Sequence, residues 1–138
     1  MSEQQNLELV RQGYAAFGRG DIEGIVKLLD SHVSWVTPGP EDVPTAGTRR
    51  GHAAVRQFFA TLLSTFDITS FEPRDFLTQG DKVVVLGNSA EGPRGTGRTV
   101  DFRWVHIFTV RNGLVVSFEE RADVSALVEE LRAAQARA

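Results

Sequence analysis

The chain contains no cysteine in its 138 residues. That absence excludes thiol catalysis, disulfide frameworks, cysteine-ligated zinc and iron–sulfur clusters, and it makes the reducing cytoplasm the expected compartment. Excess charge of one sign is missing too. Fifteen Lys and Arg stand against 18 Asp and Glu, a formal net charge of −3, so nothing electrostatic points to nucleic acid as a partner. Apolar runs such as Val83-Val84-Val85-Leu86 fall far below the ~20 residues that cross a bilayer, so no membrane partner is expected. The polar opening Met1-Ser2-Glu3-Gln4-Gln5 does not read as a targeting peptide. His32, His52 and His106 lie on separate segments without ligand spacing, and no metal or other cofactor is expected. Arg94-Gly95-Thr96-Gly97-Arg98 is glycine-rich, but no helix follows to cradle a phosphate, and no Gly-x-Ser-x-Gly elbow is present.

What remains is the composition of one globular domain over residues 1–138, with 41% hydrophobic and 24% charged residues. A chain of this size buries roughly two-thirds of its unfolded surface, enough for a core without covalent staples. Nine Phe against one Tyr and two Trp is an excess of purely apolar aromatic surface. It must line either a core or a ligand.

Leu7, Val10, Tyr14 and Phe17 recur at helical spacing, so residues 4–18 are expected to form an amphipathic helix that ends at Gly18 and Gly20. Asp21 reads as the N-cap of a short second helix carrying Ile22, Ile25, Val26, Leu28 and Leu29. A strand at 33–37 precedes a loop, 38–48, that holds three of the five prolines. A third helix is expected over 51–65, with Val55, Phe58, Phe59, Leu62 and Leu63 on its apolar side. Thereafter the period changes to two, giving β segments at 66–78, 82–90, 98–110 and 114–124 before a closing helix at 125–136. Helices first and a meander afterwards predict an α+β fold with helices packed on one face of a curved sheet.

The last hairpin carries the chemistry. A two-residue turn at Asn112-Gly113 would pair Arg111 with Leu114 and set His106 against Glu119. A three-residue turn pairs Val110 with Leu114, aligning Trp104 with Glu120 and His106 with Phe118. The second is expected, because it gathers Phe102, Trp104, His106, Phe108, Val116, Phe118 and Glu120 on one face and leaves Arg103, Glu119 and Arg121 on the other. A carboxyl and an imidazole on an aromatic face are groups placed for proton transfer. The plainer alternative is a buried pair that only fixes strand register. Tyr14, Trp35, His52 and Asn88 are further inward candidates; taken singly, each has a structural reading as a core aromatic, a helix-terminus residue or a strand-end polar group.

Several segments in order also resemble a known family. They are Tyr14-Ala15-Ala16-Phe17 before Gly20-Asp21, Trp35 ahead of Pro38-Gly39-Pro40, Gly47-Thr48 leading to Gly51 and Phe58-Phe59, Thr96-Gly97-Arg98, Trp104-Val105-His106-Ile107-Phe108, Asn112-Gly113, and Phe118-Glu119-Glu120 with Asp123. Together they resemble the SnoaL-like branch of the NTF2-like superfamily, the ketosteroid-isomerase-related proteins that include polyketide cyclases. The resemblance implies a cone-shaped barrel of curved, mostly antiparallel sheet wrapped around N-terminal helices, a deep apolar pocket, and a homodimer packed through the outer sheet face. It also implies that Glu120 is the general acid/base, with His106 and Tyr14 beside it. The cyclases carry Asp where this chain has Glu120, and the extra methylene moves the carboxylate by more than ~1 Å, enough to change which proton it reaches.

On this basis the expected function is a small cofactor-independent isomerase or cyclase acting on a hydrophobic carbonyl compound. Glu120 would take a proton next to the carbonyl, and Tyr14 or His106 would hold the enolate oxygen. Phe17, Trp35, His52, Phe58, Phe59, Leu62, Asn88, Trp104, Phe108 and Phe118 are the expected ligand contacts. The same lining would serve a non-catalytic binding protein for a small hydrophobic molecule, and side chains that filled the interior would leave a dimerisation scaffold.

Overall fold

A computed structural model describes residues 2–137. Helix α1 (Glu3–Gly18) starts at a capping box, in which the Ser2 hydroxyl accepts from the Gln5 amide and the Gln5 side chain accepts from the Ser2 amide. Asp21 caps α2 (Ile22–Val26) by accepting from the Gly24 amide. There follow β1 (Leu29–Thr37), β2 (Gly47–Arg50), α3 (His52–Thr65), β3 (Phe66–Gln79), β4 (Lys82–Pro93), β5 (Val100–Arg111), β6 (Leu114–Ala122) and α4 (Ser125–Arg137). No helix among the described residues is long and apolar enough to cross a membrane.

The six strands form one curved sheet in the order β2-β1-β6-β5-β4-β3, antiparallel except where β1 runs parallel to β6. The α+β class and the mostly antiparallel sheet follow the sequence reading. The sheet is not closed into a barrel, however; β2 and β3 remain as its edges. Two elements differ from expectation. Strand β1 begins at Leu29, a residue whose spacing predicts the second helix, and β2 occupies the end of the expected loop. Gly47-Thr48-Arg49-Arg50 has no apolar alternation because β2 is an edge strand that is mostly exposed.

The hairpin register is a third difference. Asn112 and Gly113 both have positive φ, 51° and 76°, the signature of a two-residue type I′ turn, and Arg111 pairs with Leu114. A β-bulge then inserts Val116, so Thr109 faces Ser117 while Val110 faces Val115. That extra residue shifts the pairing by one, setting His106 opposite Glu120 and Trp104 opposite Ala122. The expected pairing of Trp104 with Glu120 and His106 with Phe118 is therefore replaced, yet Trp104, His106, Phe108, Phe118 and Glu120 still share a face. Helix α1 lies over that face, bringing Val10, Tyr14 and Phe17 into the main core with Trp35, Phe58, Phe59, Trp104 and Phe118. A smaller cluster of Val43, Phe66, Leu127, Val128 and Leu131 seals the α4 end.

Candidate active site

Three elements bring three side chains into one hydrogen-bonded row. Strand β6 carries Glu120, β5 carries His106 directly opposite, and α1 lays Tyr14 across them. Tyr14 Oη lies 2.7 Å from His106 Nδ1, and His106 Nε2 lies 2.9 Å from Glu120 Oε2. Burial pushes the His106 imidazole below its ordinary range, against the pull of the Glu120 carboxylate, so the ring is neutral. An ionised carboxylate only accepts, so the single ring proton sits on Nε2 and is donated to Glu120. Nδ1 is then an acceptor, and the Tyr14 hydroxyl must donate to it. Burial first, and the Glu120 charge second, hold the Tyr14 phenol above its usual range and keep that proton in place.

The row is packed on both sides. The Trp104 ring stacks on His106 with centroids 3.8 Å apart and planes 13° from parallel, while Phe118 meets the imidazole edge-on at 4.9 Å. The Trp104 indole N–H donates to Ser89 Oγ at 2.8 Å, which fixes the ring from behind. His106 is almost sealed, its side chain 6% exposed, whereas the Glu120 side chain is 21% exposed. Oε1 of Glu120 has no hydrogen-bond partner among the described residues. A carboxylate held by one oxygen and free at the other is placed to take a proton from something bound beside it.

That space is a cavity of about 140 Å³ between the sheet, α1, α3 and α4. Tyr14, His106 and Glu120 border it, as do Phe17, Trp35, Phe58, Phe59, Leu62, Phe108 and Phe118. Three expected contacts sit elsewhere. The Trp104 ring, 2% exposed, lies behind His106 and supports it instead of lining the cavity. His52 Nε2 lies 2.9 Å from the Leu29 carbonyl and ties the start of α3 to β1. On β4, Val83, Val85, Gly87, Ser89 and Glu91 face inward, so Asn88 faces the other way and accepts from Arg74 Nε.

One cavity residue escaped the sequence reading. Glu91 lines the same space as Glu120 and is buried. The sequence ends that strand at residue 90 and places Glu91 in a turn, but β4 continues to Pro93, and its alternation turns Glu91 inward. Burial, with the nearby Glu120 charge, raises its carboxyl to about 7, and the Ser89 hydroxyl offsets part of that rise.

An open curved sheet with helices over one face, and an imidazole–carboxylate pair in an aromatic cavity, defines the class to which this protein belongs. The SnoaL-like domain family matches residues 10–118, and the chain belongs to that family, within the NTF2-like superfamily. An NTF2-like protein from Burkholderia xenovorans LB400 is 36% identical, with a TM-score of 0.85 and coverage of 95% of this chain and 98% of that one. TerC, in a structure co-crystallized with polyporic acid, is 33% identical over 93% of this chain and 98% of its own, with a TM-score of 0.84. A candidate polyketide cyclase from Xanthomonas campestris pv. campestris shares the fold alone, at 18% identity, a TM-score of 0.74, and coverage of 94% and 98%. No curated protein matches the chain.

Proposed function

We propose that the protein is a cofactor-independent isomerase or cyclase that moves a proton on a compact hydrophobic carbonyl compound, with Glu120 as the base. The observation that carries this reading is the Tyr14–His106–Glu120 row, which opens on the cavity through one carboxylate oxygen. A buried pair needed only for strand register would not require a phenol behind it or a cavity in front. The neutral imidazole, anchored through Nδ1 by Tyr14, holds the carboxylate in one orientation, and the apolar walls keep water from competing for the proton. Size narrows the substrate. A cavity of about 140 Å³ is comparable with the roughly 150 Å³ apolar cavity that holds one benzene ring.

The test is α-proton exchange in deuterated buffer, followed by NMR for a panel of cyclohexanones and acetophenones. Exchange of at least one ketone well above the buffer rate supports the reading. Ketones that bind without any gain in exchange would replace it with the binding-protein alternative. A homodimer through the outer sheet face is part of the same proposal, since Val84, Leu86, Val105 and Ile107 present apolar surface there, with Leu86 38% exposed. Light scattering that returns a monomer mass would remove it.

A further inference from the structure

This inference rests on the reading of the cavity as the substrate site, and it concerns what the substrate carries besides the reacting carbonyl. Three polar side chains on the wall give their protons to other groups of the protein. Tyr14 donates to His106, His106 to Glu120, and the Thr37 hydroxyl to the Thr45 carbonyl in the loop after β1. The Trp35 indole N–H is different. It is buried and has no hydrogen-bond partner among the described residues, on a ring that borders the cavity.

Buried polar groups are normally paired, so a lone N–H at a ligand cavity calls for an acceptor. The ring is not free to turn and find one. It stacks on Phe118 with centroids 4.0 Å apart and planes 23° from parallel, and Phe58 and Phe59 pack against it at 5.9 and 5.6 Å. The Arg49 guanidinium, itself bonded to the Pro44 and Thr45 carbonyls, lies over Phe58 and braces it. A single water is a poor partner in such a place. A buried water is held by about two to four polar groups, and the phenyl rings around the indole offer none.

Strand geometry sets where this donor stands relative to the base. Trp35 of β1 pairs with Phe118 of β6, and Glu120 is the next residue of β6 on the same face. At ~3.3 Å per residue and ~4.8 Å between strands, the two backbone positions are about 8 Å apart. That interval is on the scale of one six-membered ring, the size that the cavity volume also sets.

We propose that Trp35 is a specificity-determining residue, whose Nε1–H donates to a second oxygen of the substrate, one that takes no part in the proton transfer. Apolar walls alone give a compact ring no preferred rotation. A hydrogen bond at one point of the ring fixes which C–H meets Glu120, the task that a few placed polar groups perform in an apolar pocket. The substrate class is thus a single-ring ketone that carries a second hydrogen-bond acceptor on the ring, such as a cyclic diketone.

The test compares cyclohexane-1,4-dione with cyclohexanone, two rings of similar shape that differ in the second acceptor, on the wild type and on Trp35→Phe, which keeps an aromatic ring and removes the N–H. The ratio of the two dissociation constants is expected to shift about tenfold against the dione in the variant. The chain has two Trp, so the NMR spectrum of the isotope-labelled wild type holds two indole N–H signals. The dione is expected to move the Trp35 signal downfield and cyclohexanone to leave it in place. The Trp104 signal is the internal control, because its N–H is already given to Ser89. Equal losses of affinity for both ketones in the variant would mean packing alone and overturn the proposal. So would a Trp35 signal that responds alike to both ketones, or a dione that does not bind the wild type. The wild-type spectrum decides the matter even if the variant fails to fold, and neither readout depends on turnover. Failure of ketone exchange with these results intact would sink the base assignment alone, and exchange with an unchanged ratio would sink only the role of Trp35.

Discussion

His106 stands directly opposite Glu120 on adjacent strands, and its Nε2 proton spans the 2.9 Å to the carboxylate. The carboxylate fixes that proton on Nε2, and the Tyr14 hydroxyl, 2.7 Å from Nδ1, anchors the other side of the ring. Tyr14→Phe removes the donor to Nδ1 and leaves a buried acceptor unpaired, at a cost of about 1–3 kcal/mol. It also removes the contact that anchors the imidazole on the side away from Glu120. The expected outcome is roughly a tenfold fall in kcat with KM little changed, because the defect lies in orienting the base. Steady-state kinetics and a melting curve separate the two effects, and a change confined to KM would contradict this role.

Glu91 and His106 pull stability in opposite directions with pH. The Glu91 carboxyl is raised by burial to about 7 from an unfolded value of 4.5. Between those limits the folded state binds more protons, so this contribution is fully present below pH 4.5 and is lost as pH rises through about 7. The loss amounts to on the order of 3 kcal/mol. His106 is lowered by burial from 6.5, so between that value and its lower folded one the unfolded state binds more protons and stability falls as pH falls. The two partly cancel in the wild type. The difference between wild type and Glu91→Gln isolates the first: the variant is expected to gain relative stability as pH rises from 5 to 8. A pH-independent difference in denaturant midpoints would contradict it.

Trp104 faces Gly87 across β4 and β5, and a Cβ at that glycine would come within 2.3 Å of the indole ring. The ring can stack flat on His106 only because position 87 has no side chain. Gly87→Ala is expected to displace Trp104, weaken its bond to Ser89 and cost about 1–3 kcal/mol. Urea denaturation and Trp fluorescence would register it; an unchanged spectrum and midpoint would contradict this packing.

Much of this arrangement was legible in the residues, for physical reasons that also mark where legibility ended. Alternation at Trp104, His106 and Phe108 identified the inward face of β5, because burying one side of a sheet demands a period of two. The pairing across the hairpin was not legible, since the bulge at Val116 depends on the packing of the whole sheet and not on the local turn. Glu91 was hidden because Gly92-Pro93 reads as a turn, yet β4 pairs to its last residue with Phe66 of β3. Strand β2 is held by β1 and lacks an apolar face of its own. Asn88 and His52 were drawn into the site by their chemistry, but strand alternation and the start of α3 assign them elsewhere.

The central claim is that the free oxygen of Glu120 takes the substrate proton. It is tested most directly by the rate of deuterium incorporation into a bound cyclohexanone or acetophenone with Glu120→Gln beside the wild type. A glutamine keeps the shape and can accept from His106, but it cannot hold the proton. A positioned general base contributes about 10²- to 10⁴-fold, so exchange is expected to fall by at least about a hundredfold with ketone affinity preserved. Exchange by Glu120→Gln at the wild-type rate would contradict the account.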